Sequence, residues 1–154
     1  MRQPAHFLAF GFGTGLIPFA PGTAATLIAM PLYLVLMQAP ELVHYTMLAV
    51  LFVLGIPICQ KTNAALGVFD HRSIVWDEIV AFMLVLEFTP ASAMWWGIAF
   101  LLFRLFDIWK PFPIHYYDMR IKGGFGVMFD DLLAAVYAIL SLKGLQWLMM
   151  NYLS

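Results

Sequence analysis

Two pairs of adjacent acidic residues stand out in an otherwise apolar chain. Asp77-Glu78 precedes the apolar run Ile79–Leu86, and Asp130-Asp131 precedes the apolar run Leu132–Leu140. Capping of a helix N-terminus explains each pair alone as readily as a functional site does. There, carboxylates accept hydrogen bonds from free N–H groups and are stabilised by the positive end of the helix dipole. Two adjacent carboxylates exceed what a cap needs, and they repel each other unless a cation lies between them. We therefore expect both pairs to hold Mg²⁺, which prefers oxygen ligands and shares carboxylates with substrate phosphates.

A second constellation is the spacing Arg104-x-x-Asp107-x-x-Lys110, directly before Pro111. Three-residue spacing places these charges on one face of a helix that ends at the proline. A helix end with an internal Arg–Asp pair, whose long basic side chains reach the membrane interface, would show the same pattern. The functional interpretation assigns Arg104 and Lys110 to an anionic headgroup and Asp107 to the metal.

Two glycine-rich stretches, Gly11–Gly15 and Gly123–Gly126, can present backbone N–H groups to phosphate oxygens, although such stretches are more often turns. Pro21-Gly22-Thr23 is predicted to open the first long helix with Thr23 as its N-cap. We expect four residues of these segments to bind substrate: Thr14, Thr23, Gly123 and Gly124.

The composition indicates an integral membrane protein. Of 154 residues, 63% are hydrophobic and only 11% are charged, whereas soluble domains average about 45–50% and about 25%. The net charge of -1 shows no excess of basic residues of the kind that binds nucleic acid. The single Cys59 excludes a disulfide framework and a cysteine-based zinc or iron–sulfur site, and the four histidines show no ligand spacing.

Long uncharged stretches mark the expected membrane passes. Leu42–Cys59 and Leu132–Tyr152 are long enough to cross about 30 Å of hydrocarbon, provided that Lys143 lies against protein or near an interface. Ala24–Met37 is shorter and is interrupted by Pro31. Glycines and prolines also interrupt the N-terminal apolar stretch, so we expect no cleaved signal peptide.

The stretch Ile79–Phe103 is either one long pass or two short helices that turn near Pro90. A single pass would place the loop with Lys61 and Arg72 across the membrane from the basic segment that begins at Arg104, against the positive-inside bias. A hairpin places both on the cytoplasmic side. We therefore predict one all-α domain, an integral membrane bundle of five transmembrane helices with four as the alternative, whose cytoplasmic-face loops carry the site.

The distribution of acidic residues supports a site at the membrane surface. Eight of the nine Asp and Glu residues fall between Asp70 and Asp131. If the acidic pairs and the Arg104–Lys110 charges lay unpaired in lipid, they would cost on the order of 20 kcal/mol together. They must therefore lie at the headgroup level, paired with one another or bound to a cation.

Four segments taken in order resemble the bacterial phosphatidylglycerophosphatase A family: Gly13–Thr23, Ile74–Glu78, Phe103–Ile114 and Gly123–Asp131. The resemblance covers roughly residues 8–27 and 70–137. It implies a Mg²⁺-dependent phosphatase of the bacterial inner membrane that hydrolyses phosphatidylglycerophosphate to phosphatidylglycerol and inorganic phosphate.

The residue roles follow from this chemistry. Arg104 and Lys110 would neutralise charge on the phosphoryl oxygens. We expect Asp107, Asp130 and Asp131 as metal ligands, with Asp77 or Glu78 as general base or additional ligand. Two alternatives stay open: a metal-dependent phosphoalcohol transferase, whose Asp-Gly-x2-Ala-Arg signature is missing, and a non-catalytic subunit of a membrane complex. The sequence leaves the oligomeric state undetermined.

Overall fold

The computed structural model of the chain describes residues 4–67 and 71–153, so Asp70 lies outside the described residues. The described residues are helical and contain no strand, which confirms the all-α prediction for them. The helices are α1 (Pro4–Ala9), a 3-10 helix (Gly11–Leu16), α2 (Pro21–Leu36), α3 (Glu41–Leu66), α4 (Trp76–Glu87), α5 (Ala93–Trp109), α6 (Ile114–Arg120) and α7 (Gly123–Tyr152).

Local signals fix most helix ends. Pro21 occupies the first turn of α2, where its missing N–H costs nothing. α3 ends at Gly67, whose φ of 69° is the left-handed conformation that glycine adopts without strain. Ser92 caps α5 by accepting a hydrogen bond from the Trp95 N–H. α5 ends at Lys110, which is itself left-handed with φ of 47°.

α4 is the central helix of the bundle. Nine of its twelve residues are buried, and it packs against α2, α3, α5 and α7. The fully buried Phe82 lies with its ring centroid 5.5 Å from that of Phe103 and 6.2 Å from that of Phe100, both on α5. The apolar run Ile79–Leu86 therefore anchors the helix whose first turn carries Asp77-Glu78.

α4 and α5 form an antiparallel pair joined by residues 88–92. Phe82 contacts Phe100. Glu78, one turn nearer the start of α4, contacts Arg104, which is one turn nearer the end of α5, so the two helices run in opposite directions. The predicted break near Pro90 is confirmed, and the alternative of one continuous helix over Ile79–Phe103 is wrong.

Two predicted helix starts need correction. Thr23 is not an N-cap, because α2 begins at Pro21 and no side chain caps it. The pair Asp130-Asp131 is not at a helix N-terminus either, because α7 begins at Gly123 and the pair lies about two turns into it. The glycines after Gly123 continue the helix because α7 packs closely on α3 here: a Cβ at Gly124 would lie 2.0 Å from the Ile56 carbonyl oxygen.

Within residues 4–67 and 71–153, two helices are long and apolar enough to cross a membrane, judged by length and composition: α3, with mean hydropathy 2.1, and α7, with mean hydropathy 1.8. Large apolar side chains also cover much of the outer surface of the bundle, where Leu101 and Ile108 of α5 are about 70% exposed. Both features suit a membrane protein. The number of passes stays a prediction.

A polar network joins three helices at the end of α4. Glu87 accepts a hydrogen bond from the Tyr33 hydroxyl of α2 (2.8 Å) and contacts His44 Nδ1 of α3 (3.2 Å). His44 Nε2 lies 2.8 Å from the Ala39 carbonyl oxygen. The His44 ring thus contacts the Glu87 carboxylate on one side and the Ala39 carbonyl on the other, which ties the end of α4 to the start of α3.

We expect Glu87→Gln to destabilise the bundle, since it removes the carboxylate on which both the His44 ring and the tyrosine hydroxyl converge. The free energy of unfolding should fall by about 1–3 kcal/mol, and Tyr33→Phe should cost about 1 kcal/mol. Thermal unfolding of purified protein in detergent measures both changes. The control is Glu41→Gln at the exposed start of α3. A shift for Glu87→Gln no larger than that of the control contradicts the role of the network.

Candidate active site

A cavity of about 290 Å³ opens where α2 begins, α4 begins and α5 ends, beside α7. All seven charged residues that the sequence singled out line it. The complete lining is Pro21, Gly22, Arg72, Ile74, Asp77, Glu78, Arg104, Asp107, Lys110, Asp130 and Asp131. Residues up to 110 positions apart in sequence therefore meet at one end of the bundle.

Arg104 bridges α5 and α4 inside this cavity. Its Nη1 donates to Glu78 Oε1 over 3.0 Å and also to the Asp107 carboxylate one turn further along α5. The internal Arg–Asp pair that the spacing allowed is thus present. The Arg104 Nε is buried and donates to no acceptor among the described residues. This edge of the guanidinium is available to an anionic ligand.

Lys110 joins α5 to α7. Its Nζ lies 2.5 Å from Asp130 Oδ2 and 3.2 Å from Asp118 Oδ1. Burial alone would lower the pKa of the Lys110 ammonium, but the two carboxylates outweigh burial and the pKa is raised above its usual value. Lys110 therefore keeps its positive charge at any physiological pH.

The carboxylates form two groups that share Asp131. Oxygens of Asp77, Asp130 and Asp131 lie within 4.8 Å of one another, and so do oxygens of Glu78, Asp107 and Asp131. Asp131 is 3% exposed, and its Oδ2 is buried and accepts no hydrogen bond from the described residues. A hard divalent cation is the partner that such an oxygen cluster suits.

The charge balance of the cavity favours the same partner. Among the described residues, five carboxyl groups line it, against three basic groups from Arg72, Arg104 and Lys110. If all are ionised, the excess of two negative charges would repel a phosphate group, and one divalent cation would remove that excess.

Gly22 lets the backbone of α2 touch the site. A Cβ at this position would lie 2.0 Å from Glu78 Oε1 and 2.5 Å from the carboxyl carbon. Any larger residue must therefore displace Glu78 or the start of α2. Since Glu78 also accepts from Arg104, Gly22 controls the position of both charged groups.

Four residues expected to bind substrate do not line the cavity: Thr14, Thr23, Gly123 and Gly124. The Thr14 hydroxyl donates to the Gly11 carbonyl over 2.8 Å, within the 3-10 helix. The Gly124 N–H donates to Gln60 Oε1 over 2.6 Å, which joins α7 to α3. These contacts give Thr14 and Gly124 structural roles, and their contact with substrate stays a prediction.

Three residues of this region were not predicted from the sequence as part of the site: Arg72, Gly22 and Asp118. Arg72 lines the cavity from the segment before α4, and Asp118 on α6 contacts Lys110. Gly22 lies within the Gly13–Thr23 motif, but no spacing rule links Arg72 or Asp118 to the motifs. The segment between Lys110 and α6 folds back, which a short-range pattern does not reveal. The clustering of acidic residues between Asp70 and Asp131 is the one signal that included Asp118.

The fold and the site together define an all-helical enzyme. Its cavity combines carboxylates with basic side chains that can bind an anionic ester. Comparison with known proteins identifies the family. The family model for Phosphatidylglycerophosphatase A matches residues 7–146. The chain belongs to this family of phosphatases.

Curated relatives match over nearly the whole chain. The Phosphatidylglycerophosphatase A of Haemophilus influenzae is 46% identical over 97% of this chain and 93% of its own. The Phosphatidylglycerophosphatase A of Escherichia coli K12 is 38% identical over 96% of this chain and 87% of its own. A Bacteroides thetaiotaomicron protein with the provisional name phosphatidylinositol-3-phosphatase is 37% identical over 96% of this chain and 98% of its own. No solved structure matches the chain.

We expect Gly22→Ala to lower phosphatase turnover by about 10–100-fold, because a displacement of about 1 Å at a reacting centre has effects of this size. Turnover on a lipid phosphomonoester in mixed micelles measures the effect. Gly97→Ala on α5 is the matched control, since nothing lies within 4 Å of a Cβ at that glycine. Equal turnover for the two variants contradicts the close contact between Gly22 and Glu78.

Proposed function

We propose that this protein hydrolyses the phosphomonoester of phosphatidylglycerophosphate, releasing phosphatidylglycerol and inorganic phosphate for phospholipid biosynthesis, and that it requires Mg²⁺. One observation carries the proposal: seven charged residues from three helices converge on one cavity that has more carboxylates than basic groups. The two closer relatives supply the substrate, since both bear the name Phosphatidylglycerophosphatase A.

The carboxylate groups are the proposed metal ligands. Asp107, Asp130 and Asp131 would hold Mg²⁺, with Asp77 or Glu78 completing its coordination. When bound, the metal supplies positive charge that polarises the phosphoryl oxygens. Asp131 is the residue on which the proposal depends most, because it belongs to both groups and its buried Oδ2 accepts no hydrogen bond from the described residues.

The basic residues are proposed to bind the phosphate. The Arg104 Nε points to this role because it is buried in the cavity wall without an acceptor in the described part of the chain. Lys110 contributes a fixed positive charge held by Asp130 and Asp118. Asp77 or Glu78 would accept the proton of the attacking water, because both begin α4 at the cavity.

We further propose that the bundle spans the bacterial inner membrane with this cavity on the cytoplasmic side. The basic residues from Lys61 to Lys122 all lie on segments at the end of the bundle that holds the cavity. At the opposite end, the connections between α2 and α3 and between α4 and α5 contain no Lys or Arg, and Lys143 in the second half of α7 is the one lysine or arginine of the described chain on that side. This asymmetry follows the positive-inside rule.

The decisive experiment measures phosphate release by purified protein from phosphatidylglycerophosphate in mixed micelles. We expect hydrolysis with Mg²⁺ and its loss after chelation. Asp131→Asn should lower turnover on the order of 10²-fold and raise the Mg²⁺ requirement, because it removes a ligand charge but keeps the shape. Glu41→Gln, at an exposed acid outside the cavity, is the control.

Each alternative function gives a different result in this assay. Hydrolysis that survives chelation, or near-normal turnover of Asp131→Asn, contradicts the metal site. Faster release from phosphatidylinositol 3-phosphate would favour the activity named for the Bacteroides relative. The absence of release from any lipid phosphomonoester would favour a non-catalytic role.

A second prediction separates geometry from charge at the phosphate. Arg104→Lys keeps the charge but loses the planar fork, so turnover should fall about 10–10³-fold. Lys110→Arg should have a smaller effect, since Lys110 already acts as a point charge. Both are measured at saturating Mg²⁺ on the same substrate. Equal, small effects at the two positions contradict the assignment of Arg104 as the bidentate phosphate ligand.

A further inference from the structure

A second cavity begins where the active-site cavity ends. It is a groove of about 310 Å³ between α3, α4 and α7, and we call it the lateral groove. Asp77 lines both cavities. Apart from Asp77 and the ring of Tyr45, its lining is aliphatic, aromatic or thioether: Leu48, Ala49, Phe52, Val53, Val80, Ala81, Leu84, Met128 and Leu132.

The lateral groove runs from the active site toward the opposite end of the bundle. On α4 its lining extends from Asp77 to Leu84, seven residues or about 10 Å along the helix axis. On α3 it extends from Val53 to Tyr45, eight residues or about 12 Å. Tyr45 is next to His44, and His44 contacts Glu87 at the end of α4. The lining residues of α3 and of α4 therefore both lead from the active site toward the opposite end of the bundle.

The dimensions fit one extended alkyl chain. A volume of about 310 Å³ over a length of about 10 Å leaves a cross-section of about 30 Å², whereas an α-helix about 10 Å wide needs about 80 Å². A helix of a partner protein or of a second copy is therefore too wide to enter the groove and could only lie across its open side. Carbon–carbon bonds of about 1.5 Å advance about 1.25 Å each along an extended chain, so about eight methylenes cover the length of the groove.

We propose that the lateral groove binds one acyl chain of the phospholipid whose phosphomonoester occupies the active-site cavity. The inference rests on the proposed function and extends it to the apolar part of the substrate. Because Asp77 belongs to both cavities, a lipid with its headgroup at the carboxylates has the start of the groove beside its glycerol backbone. Ala49 and Val53 are exposed, so the groove is open along α3 and a chain can enter sideways from the bilayer.

Burial of the chain makes the recognition depend on its length. A methylene that leaves water for the groove contributes about fourfold to affinity, whereas one that leaves a micelle or a bilayer gains little by burial. For substrate dispersed as monomers in water, binding should therefore strengthen with acyl length until the groove is full, at about eight carbons, and change little beyond. A headgroup-only site would show no such dependence for monomeric substrate.

The test compares phosphatidylglycerophosphates with two four-, six-, eight- or ten-carbon chains, each below its critical micelle concentration, with Mg²⁺ and with the protein held in an amphipathic polymer in place of excess detergent. Ala49→Leu adds three carbons to the groove wall, and Ala65→Leu adds the same three carbons at an exposed position of α3 outside the groove. The measurements are kcat and KM for each chain length, together with thermal unfolding and the oligomeric state of each variant.

For the wild type and Ala65→Leu we expect kcat/KM to rise at least tenfold from four to eight carbons and then level off, mainly through KM. For Ala49→Leu we expect the four-carbon substrate to be hydrolysed normally and the rise to shrink to less than threefold. A photoreactive group near the end of an eight-carbon chain should label α3 or α4 within the groove in the wild type, and Ala49→Leu should abolish this labelling.

Other outcomes overturn the proposal in distinguishable ways. If the wild type hydrolyses all chain lengths with equal kcat/KM, the lateral groove does not bind the chain while the proposed function stands. The same holds if Ala49→Leu behaves as Ala65→Leu, lowers all substrates equally, or changes only the oligomeric state. If no phosphatidylglycerophosphate is hydrolysed, both the proposed function and the groove assignment fail.

Discussion

Five carboxylates and three basic groups share one largely buried cavity, and the helices that line it are placed so that these charges can meet there. α4 begins at the cavity, α5 ends at it, and α7 passes it about two turns from its start. Arg104 and Lys110 each bond to two carboxylates, so no helix that carries them can shift without separating charges in a region of low dielectric. The apolar packing of α4 supplies the rigid support that this electrostatic arrangement requires.

Local patterns were sufficient to find seven of the eight charged residues that line the cavity in the described part of the chain, all but Arg72. Adjacent acids and the three-residue spacing from Arg104 to Lys110 are short-range features, and they identified seven residues that line one cavity. The same reasoning found the break between α4 and α5, because proline restricts the residue before it. The chemistry of these residues, including the metal and the substrate, stays a proposal.

Features that depend on packing between distant segments could not be found in this way. The glycines at 123–126 are typical of a turn, yet they begin α7, because the contact with α3 outweighs their low helix propensity. Gly22 lines the cavity against Glu78, which lies far along the chain, and Asp118 reaches the site through Lys110, beyond a proline-rich bend. Their roles depend on tertiary distances, about which spacing in one sequence carries no information.

The shortness of α4 has a consequence for the proposed membrane protein. Twelve residues span about 18 Å, so the charged cavity and the contact between His44 and Glu87 are closer together than the two surfaces of a typical bilayer, about 30 Å apart. In a bundle that spans the bilayer as proposed, at least one of these two polar groups therefore lies below the headgroup level. The side chains of His44 and Glu87 are only 11% and 6% exposed, so the neighbouring helices rather than lipid headgroups would shield this contact from hydrocarbon.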